Sequence, residues 1–292
     1  MPDAEIGVSR PTDISPLARV MRRVDAASDG DPGRDAYATG FPSIDKWLGG
    51  GLRRGDLVVL GGDVQSGKSA LALAIALRMA QEGTSAVFLT SEMSHERVME
   101  RALAIEGRAR VDDLRRGSLD DFTRAGVGAA AVRFREAVPV ISSFPPGASI
   151  EALAADIRRT PEARVVIVDS LQGLAGSIRT QEEELSAAVR ILKALAIELD
   201  IVLVLTCQLP DFSPDRADPR PVLDDFGLDG AVKQHADVVL AIFREEMYRP
   251  GYGVEGATEL LVRKNRNGNV GYVDLFFYKQ WMRFEDMLDP DR

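Results

Sequence analysis

The octapeptide Gly62-Asp63-Val64-Gln65-Ser66-Gly67-Lys68-Ser69 constrains this chain more than any other segment. Its glycines, lysine and serine have the spacing of a nucleotide phosphate loop. Such a loop turns backbone amides inward around phosphate oxygens, and the helix opening behind it adds a favourable dipole. An apolar run at 57–60 precedes it and a helical pattern at 70–80 follows, the strand–loop–helix setting the motif requires. Gly62, Asp63, Val64, Gln65, Ser66, Gly67, Lys68, Ser69 and Ala70 are therefore the expected nucleotide contacts. Lys68 is expected on the outer phosphates and Ser69 on Mg2+, which makes ATP and Mg2+ the expected ligands. A chance glycine-rich turn is the competing reading, and the strand and helix on either side speak against it.

A phosphate loop needs a metal-side carboxylate and a base. The apolar stretch 165–168 ends in Asp169, and a parallel strand's C-terminal end would face the same crevice as the loop. Glu92 follows the apolar run 86–89, where a carboxylate can orient or deprotonate an attacking water. An acid at the start of a helix near Ser94 is its plain alternative. Gln208 follows the run 201–205 and could sense a γ-phosphate, a weak signal by itself.

Short apolar runs at 57–60, 86–89, 138–141, 165–168 and 201–205 suit strands buried on both faces of a parallel sheet. Helical patterns lie between them. Leu185, Ala188, Val189, Leu192, Leu195, Ala196 and Leu199 share one face, as do Ile150, Leu153, Ala154 and Ile157 behind Ser149. The alternation predicts an α/β fold with right-handed crossovers. The last third reads as strands, 238–243, 259–262 and 272–277, with Asn267-Gly268 marking a hairpin turn. Residues 1–36 read as an arm ahead of a domain at 37–288. The arm carries one amphipathic helix, 16–27, capped by Ser15, with Ile14, Leu17, Val20, Met21 and Val24 on one face. So short a helix has to pack on something.

Composition bounds the function. One cysteine, Cys207, excludes an internal disulfide, and two histidines leave little for zinc. The start of the chain lacks the layout of a secretory signal, and no apolar run reaches the length of a membrane span. A soluble cytoplasmic protein without membrane contact is the expectation. A net charge of −9 argues against general coating of nucleic acid but not against a local basic channel. Arg97, Arg101, Arg108, Arg110, Arg115 and Arg116 form a basic cluster, interspersed with Glu96, Glu100, Glu106, Asp112 and Asp113. That mixture reads as a solvated helical face.

Taken in order, the phosphate loop, Ser91-Glu92-Met93, the Asp169 strand and Thr206-Cys207-Gln208-Leu209 resemble the RecA-fold core. More narrowly they resemble the C-terminal ATPase domain of DnaB-type replicative helicases. Arg220-Pro221-Val222, Gln234-His235-Ala236-Asp237 and Phe243-Arg244-Glu245-Glu246-Met247-Tyr248 are similar to consecutive segments of that family. So are Lys264-Asn265-Arg266-Asn267-Gly268, Gln280-Trp281-Met282-Arg283-Phe284 and the stretch from Ala38 to Asp45. The resemblance implies a RecA-like core with a mainly parallel central sheet and a C-terminal β-hairpin region. It implies a ring of six copies with ATP between neighbours, single-stranded DNA through the ring, and replication or loader proteins as partners. It makes Glu92 the base, Asp169 and Ser69 the metal side, Lys68 the phosphate lysine and Gln208 the sensor. Lys264 and Arg266 become a basic pair reaching a neighbour's γ-phosphate.

Three departures accompany the resemblance. Only about 36 residues precede the core, where the family carries a sizeable helical domain, so helix 16–27 looks like its linker helix. Gly227 stands where the family's DNA-facing loop has an arginine. The loop 209–230 holds Asp211, Asp215, Asp218, Asp224, Asp225 and Asp229 against Arg216 and Arg220, and Glu182, Glu183 and Glu184 follow Arg179. Phosphate backbones need cations, so these loops predict weak strand binding. The function implied is an ATP-hydrolysing, DnaB-like helicase or translocase motor. A stand-alone RecA-fold regulatory ATPase of RadA or KaiC kind, without unwinding, is the alternative, since Trp47-Leu48-Gly49-Gly50-Gly51-Leu52 also occurs there. A non-enzymatic scaffold is disfavoured by Lys68, Glu92, Asp169 and Arg266.

Overall fold

Strands apolar on both faces have to be covered on both faces, and the computed structural model shows by what. It describes residues 15–28, 35–176, 181–210, 212, 216–251 and 253–287. The chain divides into two compact units, residues 1–35 and 36–292. In the first, α1 (Pro16–Ser28) begins where Ser15 Oγ accepts from the Ala18 N–H at 3.1 Å, the cap expected there. Leu17, Val20, Met21 and Val24 are exposed, and Ile14 lies outside the described residues.

In chain order the second unit runs β1 (Ala36–Tyr37), α2 (Pro42–Trp47), β2 (Leu52–Arg53), β3 (Leu57–Gly62), α3 (Lys68–Gln81), β4 (Ala86–Thr90), α4 (His95–Gly107), α5 (Val111–Arg116), α6 (Asp121–Glu136) and β5 (Val140–Ser143). It continues through α7 (Ile150–Arg158), β6 (Val165–Asp169), α8 (Gln181–Leu199), β7 (Val202–Gln208), α9 (Ala231–His235), β8 (Val238–Phe243), β9 (Ala257–Asn265), β10 (Gly271–Tyr278) and β11 (Arg283–Asp286). Among the described residues nine strands form one sheet in the order β11-β10-β9-β8-β3-β7-β6-β4-β5. From β8 to β5 neighbours are parallel; β9, β10 and β11 extend the β8 edge antiparallel.

Alternation along the strands builds two cores. Val58, Leu60, Phe88, Ile167 and Val204 face α3 and α4. Leu57, Val59, Val166, Val168, Leu203 and Leu205 face α7, α8 and α9. The apolar face anticipated for α8 is buried from Leu185 to Ala196, and Ser149 caps α7 through the Ala152 N–H at 3.2 Å. The run at 138–141 behaves differently from expectation. Its strand starts at Val140, and the residues of β5 are exposed or half-buried, because β5 is the sheet's edge and has only β4 beside it. The Asn267-Gly268 hairpin is present, but its connection runs from 266 to 270, and neither residue takes the positive φ of a tight two-residue turn.

The beginning and end of the second unit are tied by Arg78 on α3. Its Nη1 donates to Gly40 O at 2.6 Å, its Nη2 to Phe284 O at 3.2 Å, and its guanidinium lies 3.8 Å from the Phe41 ring centre. The strand that feeds the phosphate loop is packed with little tolerance. A Cβ on Gly61 would stand 2.4 Å from Phe226 Cε1, and Phe226 is buried. Gly61→Ala is therefore expected to lower the stability of the domain by about 1–3 kcal/mol in urea unfolding. Adding Phe226→Ala should relieve the overlap, so the double variant should lose less than the sum of the two single variants.

Candidate nucleotide-binding site

Parallel strands present their C-terminal ends together, and here four adjacent ends carry the expected chemistry. β3 runs into the phosphate loop, β7 ends at Gln208, β6 at Asp169, and β4 at Thr90 two residues before Glu92. Register holds them level: Gly62 lies opposite Gln208 and Thr90 opposite Asp169. Lys68, Ser69, Glu92, Asp169 and Gln208 line one cavity of about 1040 Å³.

The loop's geometry favours an anion. Gly67 adopts φ +104°, open to glycine, and a Cβ there would meet Phe284 Cζ at 2.8 Å. It precedes α3, whose N-terminus has no side-chain cap, so its first amides remain available for phosphate. Lys68 Nζ donates to Asp63 O at 2.7 Å, across the loop it would empty to bind phosphate. Burial pulls the Lys68 ammonium below its ordinary value, and the Asp169 charge opposes that.

Asp169 is the centre of the carboxylate side. Its Oδ1 accepts from Ser69 Oγ at 2.9 Å and from Thr206 Oγ1 at 2.6 Å. Its Oδ2 is buried and has no hydrogen-bond partner among the described residues. Burial raises its carboxyl above the usual range, and the Thr206 hydrogen bond works against the rise. An orphaned carboxylate oxygen beside a serine hydroxyl and an uncapped helix start fits a divalent cation carried by phosphates. Among the described residues no group of three or more His, Cys, Asp or Glu could hold a metal alone. Mg2+ requires no such group, since it is held by one or two protein oxygens plus phosphate and water. Glu92 is exposed to the cavity, and Ser170 Oγ donates to its Oε1 at 2.8 Å. The backbone of Gln208 is clamped: its N–H donates to Gln172 Oε1 at 3.0 Å, and Gln172 Nε2 returns to its carbonyl at 3.1 Å.

Three residues join the site without having been assigned to it. Arg101 lines the cavity, whereas the charge count had placed it on a solvated face. The missed signal is its position: it follows Val98 by three and precedes Ile105 by four, and both are buried. Arg244, 3% exposed, donates from Nη1 to Gln65 O at 3.2 Å, pairs with Glu246 and lies 4.6 Å from the Phe277 ring centre. Tyr248 donates to Asp63 Oδ2 at 3.1 Å. Both buttress the loop from the segment after β8.

Lys264 and Arg266 do not join this cavity. They sit where β9 meets the start of β8, and Val238 lies opposite Val58, four residues before Gly62. At ~3.3 Å per residue that is about 13 Å from the phosphate-loop end. Lys264 Nζ donates to Lys233 O at 2.7 Å and Ala236 O at 2.5 Å, and burial lowers its basicity. The Arg266 side chain is half exposed and pairs with Asp237 at 2.9 Å.

The acidic loops read differently once folded. Asp218, Asp224 and Asp225 pair with Arg220, Lys233 and Arg216, so they are not free negative charges. Arg220 also grips Glu259. Glu182 Oε1 accepts from the Asp229 N–H at 3.2 Å. Asp211, Asp215 and Arg179 lie outside the described residues. Gly227 adopts φ +56°, ψ −133°, and Leu228, Asp229 and Gly230 also have positive φ. An arginine at 227 would therefore strain the backbone as well as add a charge.

The family model described as DnaB-like helicase C terminal domain matches residues 36–286. The replicative DNA helicase DnaB of Geobacillus stearothermophilus is 31% identical over 256 residues, covering 85% of this chain and 56% of the relative. The chain thus spans little more than half the length of that relative. The solved ATPase domain of G40P matches with a TM-score of 0.84 at 24% identity, covering 94% of this chain and 100% of that one. The KaiC-like protein PH0186 of Pyrococcus horikoshii OT3 matches at 0.59 and 16% identity, covering 86% of this chain and 98% of that one. The two structures share the RecA-like fold expected from the sequence. Among the described residues no helix is long and apolar enough to cross a membrane.

Asp56 gives this end of the sheet a pH signature. Burial and the neighbouring Asp237 carboxylate push it from 3.8 up to about 6. A carboxyl raised in the folded state favours folding below its unfolded value and loses that contribution as pH rises through the folded one. Asp56→Asn should therefore raise the urea midpoint at pH 8 and change it little at pH 4.

Proposed function

This chain belongs to the family of DnaB-like helicase C-terminal domains, and from that premise we propose that it is an ATP-hydrolysing motor domain working as a ring on single-stranded DNA. The observation that carries the reading is a divided site. The phosphate loop, Asp169, Glu92 and Gln208 converge at one end of the sheet, and Arg266 stands half exposed at the other. A cation at the second end serves phosphoryl transfer only by entering a neighbour's site, as a finger in trans.

In this reading Lys68 leaves Asp63 O for the outer phosphates. Ser69 Oγ and Oδ2 of Asp169 would hold Mg2+, which when bound would neutralise charge on the phosphates. Glu92, steadied by Ser170, takes the proton of the attacking water. Gln208 senses the γ-phosphate from a backbone fixed by Gln172, and Arg101 adds a cation from the same chain. Across the interface Arg266 meets the developing charge, with Lys264 beside it. The α1 helix docks on an adjacent copy, and a closed ring of six follows the family pattern. Single-stranded DNA passes through the ring, and replication or loader proteins are the partners.

One observation favours the alternative, a regulatory RecA-fold ATPase that does not unwind. Arg216 and Arg220 in the loop 209–230 are both engaged in ion pairs with neighbouring acids, which leaves little cation there for a DNA backbone. A strand-displacement assay separates the two readings. The motor unwinds with ATP and not with a non-hydrolysable analogue; the switch unwinds with neither.

Lys68→Ala should nearly abolish hydrolysis. Glu92→Gln should retain ATP binding while kcat falls on the order of 10²-fold or more, the contribution of a positioned base. Hydrolysis by Glu92→Gln at the parent rate would remove Glu92 from the mechanism. On labelled poly-dT, anisotropy should show weak binding at low salt that is lost at modest ionic strength. Undiminished binding at high salt would contradict the account of these loops.

A further inference from the structure

An arginine that works across an interface has to be aimed, because misplacement of reacting groups by about 1 Å costs on the order of 10²-fold in rate. Among the described residues Arg266 has one ion-pair partner, Asp237. Asp237 is 2% exposed, and its Oδ1 lies 2.9 Å from Arg266 Nε. The main chain repeats the grip, with Arg266 N–H donating to Asp237 O at 2.8 Å. Nη1 and Nη2 of Arg266 make no hydrogen bond among the described residues, so the two nitrogens suited to a phosphate stay available.

The other oxygen of Asp237 is used separately. Oδ2 accepts from the Leu57 N–H at 2.9 Å and from Lys193 Nζ at 2.6 Å. Asp237 N–H donates to Leu57 O at 2.8 Å, and Lys193 also donates to Gly55 O at 2.7 Å. A staple between the starts of β3 and β8 is complete with those bonds, and Lys193 already supplies the counter-charge. Nothing in that staple requires Oδ1, which is spent on a half-exposed arginine at the end of another strand. Both oxygens of a buried carboxylate accept, whereas an amide offers one acceptor and a donor that would face Leu57 N–H, Lys193 or Arg266.

We propose that Asp237 is a positioning residue for catalysis: it aims Arg266 at the phosphates bound by a second copy of this chain. The proposal rests on the reading of Arg266 as a finger in trans. It differs from a structural role in one respect. Asp237 matters on the chain that lends the finger and not on the chain that lends the phosphate loop.

Mixed rings make that difference measurable. A Lys68→Ala chain has a finger but no working loop, and an Arg266→Ala chain has a loop but no finger. Their mixture has complete sites only where the finger of the first meets the loop of the second. Asp237→Asn is then placed on one partner or the other, and ATP hydrolysis is followed at equal oligomer size by light scattering. On the finger-lending chain it should lower the recovered rate about tenfold or more, as a misaimed group does. On the loop-lending chain, whose own finger is already gone, the rate should stay within about twofold, because no aimed group is lost there. Equal losses in both placements, or none in either, would overturn the role of Asp237 and leave the finger intact. No recovery in the parent mixture, which carries no change at Asp237, would overturn the finger and the positioning role together. Should Asp237→Asn alone unfold the chain, Asp237→Asn with Lys193→Met removes the ammonium otherwise left buried without its partner. The same placement test then applies.

Discussion

One carboxylate oxygen organises the candidate site. Asp169 Oδ1 accepts from Ser69 at the start of α3 and from Thr206 on β7, so a single atom ties the phosphate loop to two neighbouring strands. Because the atom is buried, the ties are strong and their loss would leave a charge unsolvated. Everything else at that end is placed relative to them. Thr90, level with Asp169, accepts from the Glu92 N–H at 3.1 Å and so starts the turn that brings Glu92 to the cavity. Ser170, the next residue, holds the Glu92 carboxylate. Gln172, two residues further, fixes Gln208. The residues proposed as metal side, base and sensor are thus branches of one strand end.

The opposite end of the sheet is built around a second buried carboxylate, and the contrast is chemical. Asp169 keeps one oxygen empty, as suits a ligand that arrives with phosphate. Asp237 has both oxygens occupied, by Leu57 and Lys193 on one and Arg266 on the other. A buried carboxylate with a complete set of partners does not bind; it holds. β3 connects the two ends, since Leu57 is bonded to Asp237 and Gly62 opens the phosphate loop. In a closed ring the same strand would lie between the site a chain owns and the finger it lends.

Much of this was legible in the sequence, and the reason is periodicity and position. Buried parallel strands must be apolar throughout, so 57–60, 86–89, 165–168 and 201–205 announce themselves, and a candidate site residue stands just past each run. What was hidden depended on distant contacts. The run at 138–141 has core-strand composition, yet topology puts β5 at an edge. β11 is invisible as a pattern because Arg283-Phe284-Glu285-Asp286 is three-quarters charged and buries one side chain, Phe284, against α3. Arg244 and Tyr248 buttress the phosphate loop from 179 and 185 residues away, a relation no local pattern encodes. Arg101 was hidden for the converse reason, since charges of both signs around it masked the one that points to the cavity.

Charge counting failed most clearly in the loop 209–230, and the failure bears on how the domain would meet DNA. Six acids against two bases look like repulsion, but the described acids are largely partners of local cations. Arg216 closes a two-pronged pair with Asp225, whose carboxylate also accepts from the Val222 N–H at 2.6 Å. Phe226 then packs on Gly61 beneath the phosphate loop. The loop is thereby shaped from inside, and its ion pairs are local devices of folding rather than a surface field. Two consequences oppose each other. The acids repel a phosphate backbone less than their number implies, and the arginines attract it less as well. Its end is a run of four residues from Gly227 to Gly230 with positive φ, pinned by Ser186 Oγ to Leu228 O at 2.8 Å. Three of its four N–H groups are already spent, Gly227 on Asp224 O, Gly230 on Gly227 O and Asp229 on Glu182, so the segment offers a phosphate backbone little, in keeping with weak binding.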